Sequence, residues 1–526
     1  MDVVAHAKAM KDAPSVAFAE FLENPPLLEY FNISGLHRRK NILFRTQDSA
    51  SILMARNGSG KTTLLAAINA VLTLNFHKLS EISFERIDFK VRSCDGFSIF
   101  KSDIEALVSN LSDSQISKFA SECNVSLDYV LDVAQSVQMM STPSRYQQHT
   151  GIQELYNRHP TMSHRPIYEM LTQNTEVLYS EVPALAKMEK ALRSVLEGYD
   201  IVYLPTYRRI EMSLTRYNAE QRQTAPWETR SRRSTSLLPS EIKFGLEDIT
   251  DRIQEIFLEI QRKSNTTYQK ISANIINELL DGSYAEASSS GDRPDKDELE
   301  LFFNRIRASR VRSGAQIAFP DIDKIYNEDL DPGVKPFLLY FLSNLNEAIK
   351  STKPLEDKVN GFLVACNNYL SDQDNSAFKH SSGVDRSFDS KTIKVNRSNF
   401  RPYFTSGTKE SAIRIEALSS GEKQVVSLFA RLYLYDKKKI ILFDEPELSL
   451  SIGWQAKLLP DLCRSPSFSQ LIAITHSPFI FDNELDAYAG NLGVEVFSEP
   501  EPDLDLFENL DDDIFDEDGN TKGSPF

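Results

Sequence analysis

Cysteine is scarce in this sequence, and its four copies are far apart. They lie at Cys94, Cys123, Cys366 and Cys463, so neither the spacing of a zinc site nor a disulfide framework is present. The chain also lacks an apolar run long enough to cross a membrane and a basic, apolar leader at its start. These absences argue against a disulfide-rich secreted protein and an integral membrane protein. We expect a cytoplasmic protein without membrane contact.

A heptad pattern sustained over three or four repeats is absent as well. We therefore predict no long coiled coil. The apolar fraction of 41% and the charged fraction of 25% are those of an ordinary globular protein. A chain of 526 residues is long enough for a large core and more than one structural unit.

Negative charge is concentrated near the end of the sequence. The formal net charge is −16, but residues 495–526 alone carry twelve acidic side chains against one lysine. Such segments are commonly solvated and disordered, and some act as docking or autoinhibitory segments. We expect a nearly balanced body followed by an acidic, disordered tail.

Strand-like and helical segments alternate in the body, which predicts an α/β fold. Residues 27–44 indicate short strands with a turn at Ser34-Gly35, and an apolar strand ends at Ala55. Apolar residues recur at helical spacing from Ile249 to Leu279. The small and polar residues 281–297 predict a flexible loop.

The segment NGSGKTT has the composition of a phosphate-binding loop. Such a loop needs inward-facing backbone N–H groups, the positive end of a helix dipole and a mobile cation. Gly58 and Gly60 let the backbone wrap closely, Lys61 reaches the β- and γ-phosphates, and Thr62 offers its hydroxyl to Mg²⁺. Ala55 stands where such loops usually carry their first glycine. Its methyl group is tolerable if the residue keeps a negative φ.

Two carboxylates follow the apolar strand KKKIILF. Asp444 is suited to hold Mg²⁺, and Glu445 can polarise a water molecule for attack on the γ-phosphate. A second apolar strand, LIAIT, ends at Thr475 and is followed by His476. A histidine in such a place is more often a packing residue than a catalyst when it stands alone.

A third segment, LSSGEKQ, opens a helix. Ser419 and Ser420 can cap the helix N-terminus, and Gly421 exposes backbone N–H groups there. A simple helix cap is a sufficient explanation of this segment by itself.

Taken together, the four segments resemble the ABC-type ATPase head of the SMC, Rad50, RecF and OLD group. The resemblance covers residues 28–92, about 200–211, and 391–485, and it implies ATP and Mg²⁺ as cofactors. By this resemblance LSSGE is the signature motif, IILFDEP the Walker B motif and ELSLS the D-loop.

The resemblance also implies which residues form the site. It makes Glu445 and His476 the catalytic residues and Thr62 and Asp444 the metal ligands. The implied nucleotide-binding residues are Ala55, Arg56, Asn57, Gly58, Ser59, Gly60, Lys61, Thr62 and Thr63 of the Walker A motif, and Ser419, Ser420, Gly421 and Glu422 of the signature motif.

In this family, the signature motif of one subunit closes over the ATP held by Walker A of another. We therefore expect a homodimer, or a higher homo-oligomer, with ATP sandwiched between heads. Ser420 and Gly421 would touch the γ-phosphate across the interface, so ATP hydrolysis would loosen the dimer.

The expected domain organisation is a head interrupted by helical insertions. Its parts are the N-terminal head 1–95, a helical insertion 96–199, a head strand with a Q-loop-like segment 200–212, a helical insertion 213–390 that contains the flexible loop 281–297, the C-terminal head 391–494, and the tail 495–526.

The distance between motifs narrows the kind of ATPase. Between Thr62 and Leu418 the chain advances 356 positions, far more than in a transporter's nucleotide-binding domain, and the coiled coil of SMC or Rad50 proteins is not visible. Only 50 residues follow His476, so no Toprim nuclease of the OLD type fits there.

The segment DIVYLPTYRRIE, residues 200–211, is similar to the Q-loop region of PtuA-type ATPases from Septu and retron anti-phage systems. PtuA-type proteins work with PtuB, a separate HNH nuclease. The resemblance implies that this chain controls a PtuB-like HNH nuclease, with a retron reverse transcriptase and its RNA–DNA hybrid as further potential partners. A RecF- or SMC-like repair ATPase and a nucleotide-switched scaffold with little turnover remain alternatives.

Arginines suggest a possible DNA contact. Arg208 and Arg209 suit either an ion pair or a nucleotide or DNA phosphate. Two further clusters could form a phosphate-binding face, although solvated helix faces or protein-docking surfaces explain them equally well. Their members are Arg230, Arg232 and Arg233, and Arg305, Arg307, Arg310 and Arg312.

Overall fold

The structure is a computed structural model, and its described residues form two compact units. The described residues are 22, 24–56, 58–112, 114–138, 146–147, 149–205, 246–281, 293–311, 320–326, 333, 335–371, 390–396, 400–407, 411–413, 417–448 and 450–497. The first unit comprises those within Met1–Leu27, Gln47–Ala55 and Leu196–Gly490, and the second those within Leu28–Thr46, Arg56–Val195 and Asn491–Phe526.

Strands and helices are both well represented in the described residues, so the predicted α/β class is confirmed. The strands are β1 Leu28–Leu36, β2 Lys40–Arg45, β3 Ala50–Met54, β4 Arg86–Val91, β5 Phe97–Phe100, β6 Tyr199–Leu204, β7 Lys391–Val395, β8 Pro402–Ser406, β9 Ser411–Ile413, β10 Lys438–Asp444, β11 Phe468–Thr475, β12 Ala489–Asn491 and β13 Gly493–Val496.

The α-helices are spread over both units. They are α1 Lys61–Leu72, α2 Lys101–Ser112, α3 Gln115–Glu122, α4 Leu127–Gln138, α5 Thr150–Arg158, α6 His164–Ser180, α7 Pro183–Leu196, α8 Leu246–Asp281, α9 Lys296–Val311, α10 Ile322–Tyr326, α11 Lys335–Leu370, α12 Ser420–Tyr433 and α13 Ile452–Cys463. Short 3₁₀ helices lie at Phe76–Glu81, Pro478–Ile480 and Asp486–Tyr488.

The first unit is built on a parallel sheet with the strand order β3-β11-β10-β6. All residues of β10 except Lys438 are buried, as expected for a central strand covered on both faces. Helices α12 and α13 contribute Val426, Phe429 and Leu459 to the same core. The runs of Ile, Leu, Val and Phe in these strands therefore serve a two-sided core.

The segment 200–211 forms a strand only in its first part. β6 ends at Leu204 and is followed by Pro205. Proline has no N–H to donate, which suits the end of a ladder. Arg208 and Arg209 lie outside the described residues.

Two 36-residue helices, α8 and α11, also belong to the first unit. Residues early in α8 share a core with residues late in α11, such as Ile253 with Phe362, while Ile275 late in α8 clusters with Leu345 early in α11. The two helices therefore run antiparallel, each spanning roughly 54 Å at 1.5 Å per residue. At the other end of the pair, where α8 ends and α11 begins, both helices share a core with Phe302 of α9.

A small antiparallel sheet, β7-β8-β9, lies at the end of the helix pair where α8 begins and α11 ends. Asn367 of α11 binds its first strand, because its side chain donates to the carbonyl oxygen of Ile393 at 3.0 Å and accepts from that residue's N–H at 2.8 Å. Tyr369 packs its ring on Phe429 of α12, with centroids 5.4 Å apart. The helix pair is thus fixed to the sheet and to α12 at one end.

The second unit contains an antiparallel sheet with the order β13-β2-β1-β4-β5. The turn between β1 and β2 was predicted at Ser34-Gly35, and this prediction is wrong. Gly35 lies within β1, where its φ of +68° accompanies an irregularity in the strand register. The chain reverses instead at His37 and Arg38, which both have positive φ.

Helices α2 to α7 make up most of the remaining second unit. β5 precedes them and pairs with β4, so the predicted helical insertion 96–199 begins with a strand. The predicted flexible loop 281–297 falls mainly on residues outside the described set, but α9 already begins at Lys296. The acidic tail beyond residue 497 also lies outside the described residues.

Among the described helices, none combines the length and apolar character that a membrane span requires.

A buried histidine in the second unit makes its stability depend on pH. His77 is 7% exposed, and burial, with a contribution from the positive charge of Lys78, lowers its pKa from the ordinary 6.5 to about 3. Because the folded state holds this imidazole neutral, its contribution to stability is fully present above the unfolded pKa of about 6.5. That contribution is lost as the pH falls from there towards 3.

We expect His77→Leu to reduce the loss of stability on acidification by about 2 kcal/mol between about pH 7.5 and pH 5. Urea unfolding at the two pH values measures this difference. Burial raises the carboxyl pKa of Glu81 and Asp128, which act in the opposite direction but remain in both proteins. Phe76→Leu, a non-titrating change next to His77, should destabilise equally at both pH values. An unchanged pH dependence in His77→Leu contradicts the prediction.

Candidate nucleotide-binding and catalytic site

The carboxyl ends of the parallel strands meet at one edge of the first unit's sheet. Met54 at the end of β3 pairs with Thr475 at the end of β11, and Ile474 pairs with Asp444 at the end of β10. In open sheets of this type, ligands bind at this edge. The structure thus places Ala55, Asp444, Glu445 and His476 at the ends of three adjacent strands.

Asp444 and Glu445 mark the transition from strand to loop. Asp444 is the last residue of β10 and is only 1% exposed. Glu445 adopts a left-handed φ of +53°, which is unusual for a residue other than glycine and is often found at functional sites. Its N–H donates to the carbonyl oxygen of Ile474 at 2.8 Å, so its backbone is fixed beside β11.

His476 follows β11 directly, and its imidazole faces Glu445. The distance from Nε2 of His476 to Oε1 of Glu445 is 3.9 Å. The two side chains are partly exposed, at 38% and 24%, and are therefore accessible to a ligand. A carboxylate and an imidazole in this arrangement can accept and stabilise a proton taken from a water molecule.

A third carboxylate at this edge, Glu447, was predicted from the sequence only as part of the D-loop segment. Its Oε2 accepts a hydrogen bond from Oγ1 of Thr475 at 2.8 Å, and its Oε1 accepts one from the N–H of His476 at 2.9 Å. Burial raises the pKa of this carboxyl, and the nearby Glu445 adds to the rise. Its position two residues after Glu445 was the only sign in the sequence that it lies near the site. Its hydrogen-bond partners, Thr475 and His476, are distant in sequence and could not be predicted from it.

The phosphate-binding segment continues from Ala55 into the second unit. Arg56 is exposed, and its carbonyl oxygen accepts a hydrogen bond from the N–H of Ser59 at 3.3 Å. Gly58 and Gly60 have φ of +74° and +96°, values that strongly favour glycine. Asn57 lies outside the described residues.

Helix α1 begins at Lys61, which is 6% exposed, and Thr62 and Thr63 follow in its first turn. Its N-cap is Gly60, which has no side chain, and the first turn carries no acidic residue. The positive end of the helix dipole is therefore not neutralised from within the helix.

These features fit a bound triphosphate. The buried Oγ of Ser59 has no hydrogen-bond partner among the described residues, although such groups are usually satisfied. A Cβ atom on Gly60 would lie 2.6 Å from Cδ1 of Ile42, so that methyl group would have to move, and φ of +96° would strain any other residue at this position. Lys61 and Thr62 would hold the phosphates and Mg²⁺ respectively.

Lys40 of β2 is a further cation at the phosphate-binding loop that sequence reasoning missed. Its Nζ donates to the carbonyl oxygen of Gly58 at 2.7 Å. This contact holds one carbonyl of the loop on the side of β2. No local pattern pointed to this contact, since Lys40 lies 18 positions before Gly58.

The signature segment forms the N-terminus of α12 in the first unit. Oγ of Ser419 accepts from the N–H of Glu422, and the Glu422 carboxylate accepts from the N–H of Ser419 at 2.6 Å, which completes a capping box. Lys391 also pairs with Glu422 at 2.8 Å. Ser420 and Gly421 occupy the first turn of the helix, and Gly421 is buried.

One predicted arginine cluster is partly corrected. Arg305 is 4% exposed and forms a two-pronged ion pair with Glu356, at 2.6 and 2.9 Å. It also lies over the ring of Phe400. Arg305 therefore stabilises the packing of α9 and α11 and does not belong to a phosphate-binding face. Arg307 and Arg310 also lie in α9, whereas Arg230, Arg232, Arg233 and Arg312 are outside the described residues.

Comparison with known families identifies the chain. Residues 204–482, just over half of the sequence, match the family described as "AAA domain, putative AbiEii toxin, Type IV TA system". The chain belongs to this AAA domain family. The match includes the signature segment, Asp444, Glu445 and His476, and it begins after the phosphate-binding loop.

Solved structures similar to this AAA domain protein include two Smc head domains. The Pyrococcus furiosus Smc head, with an extended coiled coil and the C-terminal domain of ScpA bound, has 13% identity and a TM-score of 0.30; the alignment covers 90% of this chain and 96% of that one. The Pyrococcus yayanosii Smc head, with a coiled coil and joint, has 14% identity and a TM-score of 0.25, with 90% and 97% covered. No curated protein matches the sequence.

Among the described residues of the AAA domain protein, no cluster of three or more metal-binding side chains is present. A Mg²⁺ site in this class does not need one, because the ion is commonly bound by one or two protein ligands together with phosphate oxygens and water. Asp444 and Thr62 are therefore still the predicted ligands.

We expect Gly60→Ala to lower both stability and nucleotide affinity more than Gly58→Ala. Both changes force a side chain into a left-handed conformation, at a cost of about 1–2 kcal/mol each. Only the Cβ at position 60 also meets a neighbour, since that at position 58 has nothing within 4 Å. Thermal unfolding and titration with a fluorescent ATP analogue measure the two effects. Equal losses in the two variants would contradict the steric argument.

Proposed function

We propose that this protein binds ATP with Mg²⁺ and hydrolyses it to ADP and phosphate. The observation that carries the proposal is the placement of Asp444, Glu445 and His476 at the carboxyl ends of β10 and β11. A buried aspartate followed by a partly exposed glutamate, with a histidine facing the glutamate, suits metal-assisted attack of water on a phosphate. Membership of an AAA domain family supports the same chemistry.

Each residue has a separate role in this proposal. Lys61 and the backbone of Gly58 and Gly60 bind the phosphates, and Mg²⁺, when bound, would supply positive charge opposite the γ-phosphate. Glu445 orients the attacking water and accepts its proton, while His476 stabilises the γ-phosphate. Thr62 and Asp444 hold the metal, either directly or through water.

We further propose that the active form is a homodimer, or a higher homo-oligomer, with ATP between two heads. The capping box of Ser419 holds the first turn of α12 in a defined form. Ser420 and Gly421 would then approach the γ-phosphate held by a second copy. In the described structure, Glu422 serves this cap and the Lys391 ion pair. Its contribution to nucleotide binding would thus be through the shape of the helix start.

The cellular role that we propose is anti-phage defence. The resemblance of residues 200–211 to PtuA-type ATPases supports it, and the chain would then control a PtuB-like HNH nuclease through ATP-dependent dimerisation. In a retron system, the reverse transcriptase and its RNA–DNA hybrid would be further partners.

Replacing Glu445 with Gln should lower ATP turnover by roughly 10²- to 10⁴-fold, because the amide cannot accept a proton from water. ATP binding should persist, and ATP-bound dimers should live longer than those of the wild type. Phosphate release and light scattering after gel filtration measure these quantities. Glu484→Gln, the same chemical change at a loop carboxylate paired with Arg464, is the matched control.

A wild type that binds ATP but already has no measurable turnover would contradict hydrolysis and favour the scaffold alternative. A wild type that binds no ATP would contradict the whole proposal.

Phage infection tests the proposed cellular role. The proposal requires an HNH gene beside this one, and cells that carry both genes should survive phage infection better than cells with Lys61→Ala, which cannot hold the phosphates. The two proteins should also co-purify from these cells. Equal survival of both strains, combined with sensitivity of a deletion strain to DNA damage, would instead favour the RecF-like repair alternative.

A further inference from the structure

Two side chains connect the loop after Glu445 to the segment after β11. The first is Glu447, whose carboxylate accepts hydrogen bonds from Thr475 Oγ1 and from the N–H of His476, at 2.8 and 2.9 Å. The β10–β11 ladder ends one residue earlier, at the pair Asp444 and Ile474. These bonds therefore begin where the main-chain pairing stops.

The second side chain is Gln455, on the first turn of α13. Its Nε2 donates to the carbonyl oxygens of Glu447 and Leu450, at 3.3 and 3.1 Å. Its Oε1 accepts a hydrogen bond from Oγ of Ser477 at 3.1 Å. We call Glu447 and Gln455, together with these partners, the strand-end clamp.

The strand-end clamp holds the backbone from which the imidazole of His476 extends. His476 follows the last ladder pair of β11, which joins Thr475 to Met54. The bond from its N–H to Glu447 fixes one side of the residue, and the bond between Ser477 and Gln455 fixes the next position. From this backbone position, Nε2 of His476 lies 3.9 Å from Oε1 of Glu445.

Burying the carboxylate of Glu447 costs free energy unless its oxygens accept hydrogen bonds. Glu447 is half-buried, and burial raises the pKa of its carboxyl. A glutamine would have nearly the same shape but only one acceptor oxygen. The carboxylate supplies the two acceptors that the Thr475 hydroxyl and the His476 amide require.

We propose that Glu447 is a positioning residue for ATP hydrolysis, which acts by holding His476 in place opposite Glu445. The inference rests on the proposed ATPase function. It assigns to the segment ELSLS a task within one protomer, in addition to any contact between protomers.

The kinetic test compares Glu447→Gln with the matched control Glu484→Gln. Glu447→Gln should lower kcat by roughly 10- to 100-fold, as for groups that orient metal ligands, with the Kd for a fluorescent ATP analogue unchanged. In a His476→Ala background, Glu447→Gln should have little further effect, because its target is already gone. Glu484→Gln should leave kcat and Kd at wild-type values.

A spectroscopic measurement keeps the test independent of turnover. In protein with ¹³C-labelled histidine, the His476 ring signal, assigned from His476→Ala, should shift in Glu447→Gln and stay in place in Glu484→Gln. Thr475→Val removes the hydroxyl donor and keeps the fold of the strand, so it should move the same signal by a smaller amount. Thermal unfolding establishes that each variant is folded.

The outcomes separate the two levels of the proposal. A wild type without ATP turnover contradicts the proposed function, while the histidine signal still decides whether the strand-end clamp exists. If the wild type turns over ATP and Glu447→Gln retains its kcat, the positioning role is wrong. Additive losses in the double variant, or an unmoved His476 signal, would overturn it equally.

Discussion

The hydrogen-bonded ladder between four parallel strands is the constraint on which the first unit depends. Because β3, β11, β10 and β6 all run in one direction, their carboxyl ends meet at one edge. Residues separated by hundreds of positions thereby become neighbours there. The strand pairing stops at the strand ends, so the residues beyond them are held by other hydrogen bonds. The N–H of Glu445 donates to the carbonyl oxygen of Ile474, and the N–H of His476 donates to the carboxylate of Glu447.

Side-chain contacts join the long helix α11 to the rest of the first unit. α11 is fixed by Asn367 to β7 and by Tyr369 to α12, the helix that starts at the signature segment. A shift of α12 would therefore disturb the packing at the end of α11. Such packed contacts are a physical route by which a change at Ser420 and Gly421 can reach a 36-residue helix pair, and the reverse.

Local sequence predicted much of this arrangement, and the misses have identifiable causes. Apolar runs followed by polar residues predicted the strands β10 and β11 and the charged side chains at their ends, since burial on both faces demands such runs. The length of α11, a 36-residue helix that contains Pro354, was not predicted beyond the helical character of residues 213–390. The β1–β2 turn was misplaced because a glycine at a β-bulge resembles a glycine in a turn. The contacts of Glu447 and Lys40 had no local signal, because their partners are distant in sequence.

We propose that each ATP is enclosed by Walker A of one copy and the signature segment of another. Mixing two inactive variants, Lys61→Ala and Ser420→Arg, tests it directly, because a mixed dimer has one composite site in which both halves are intact. Neither variant alone should hydrolyse ATP, and phosphate release should return on mixing. If both variants are folded and form mixed dimers, but the mixture stays as inactive as its components, the shared site does not exist.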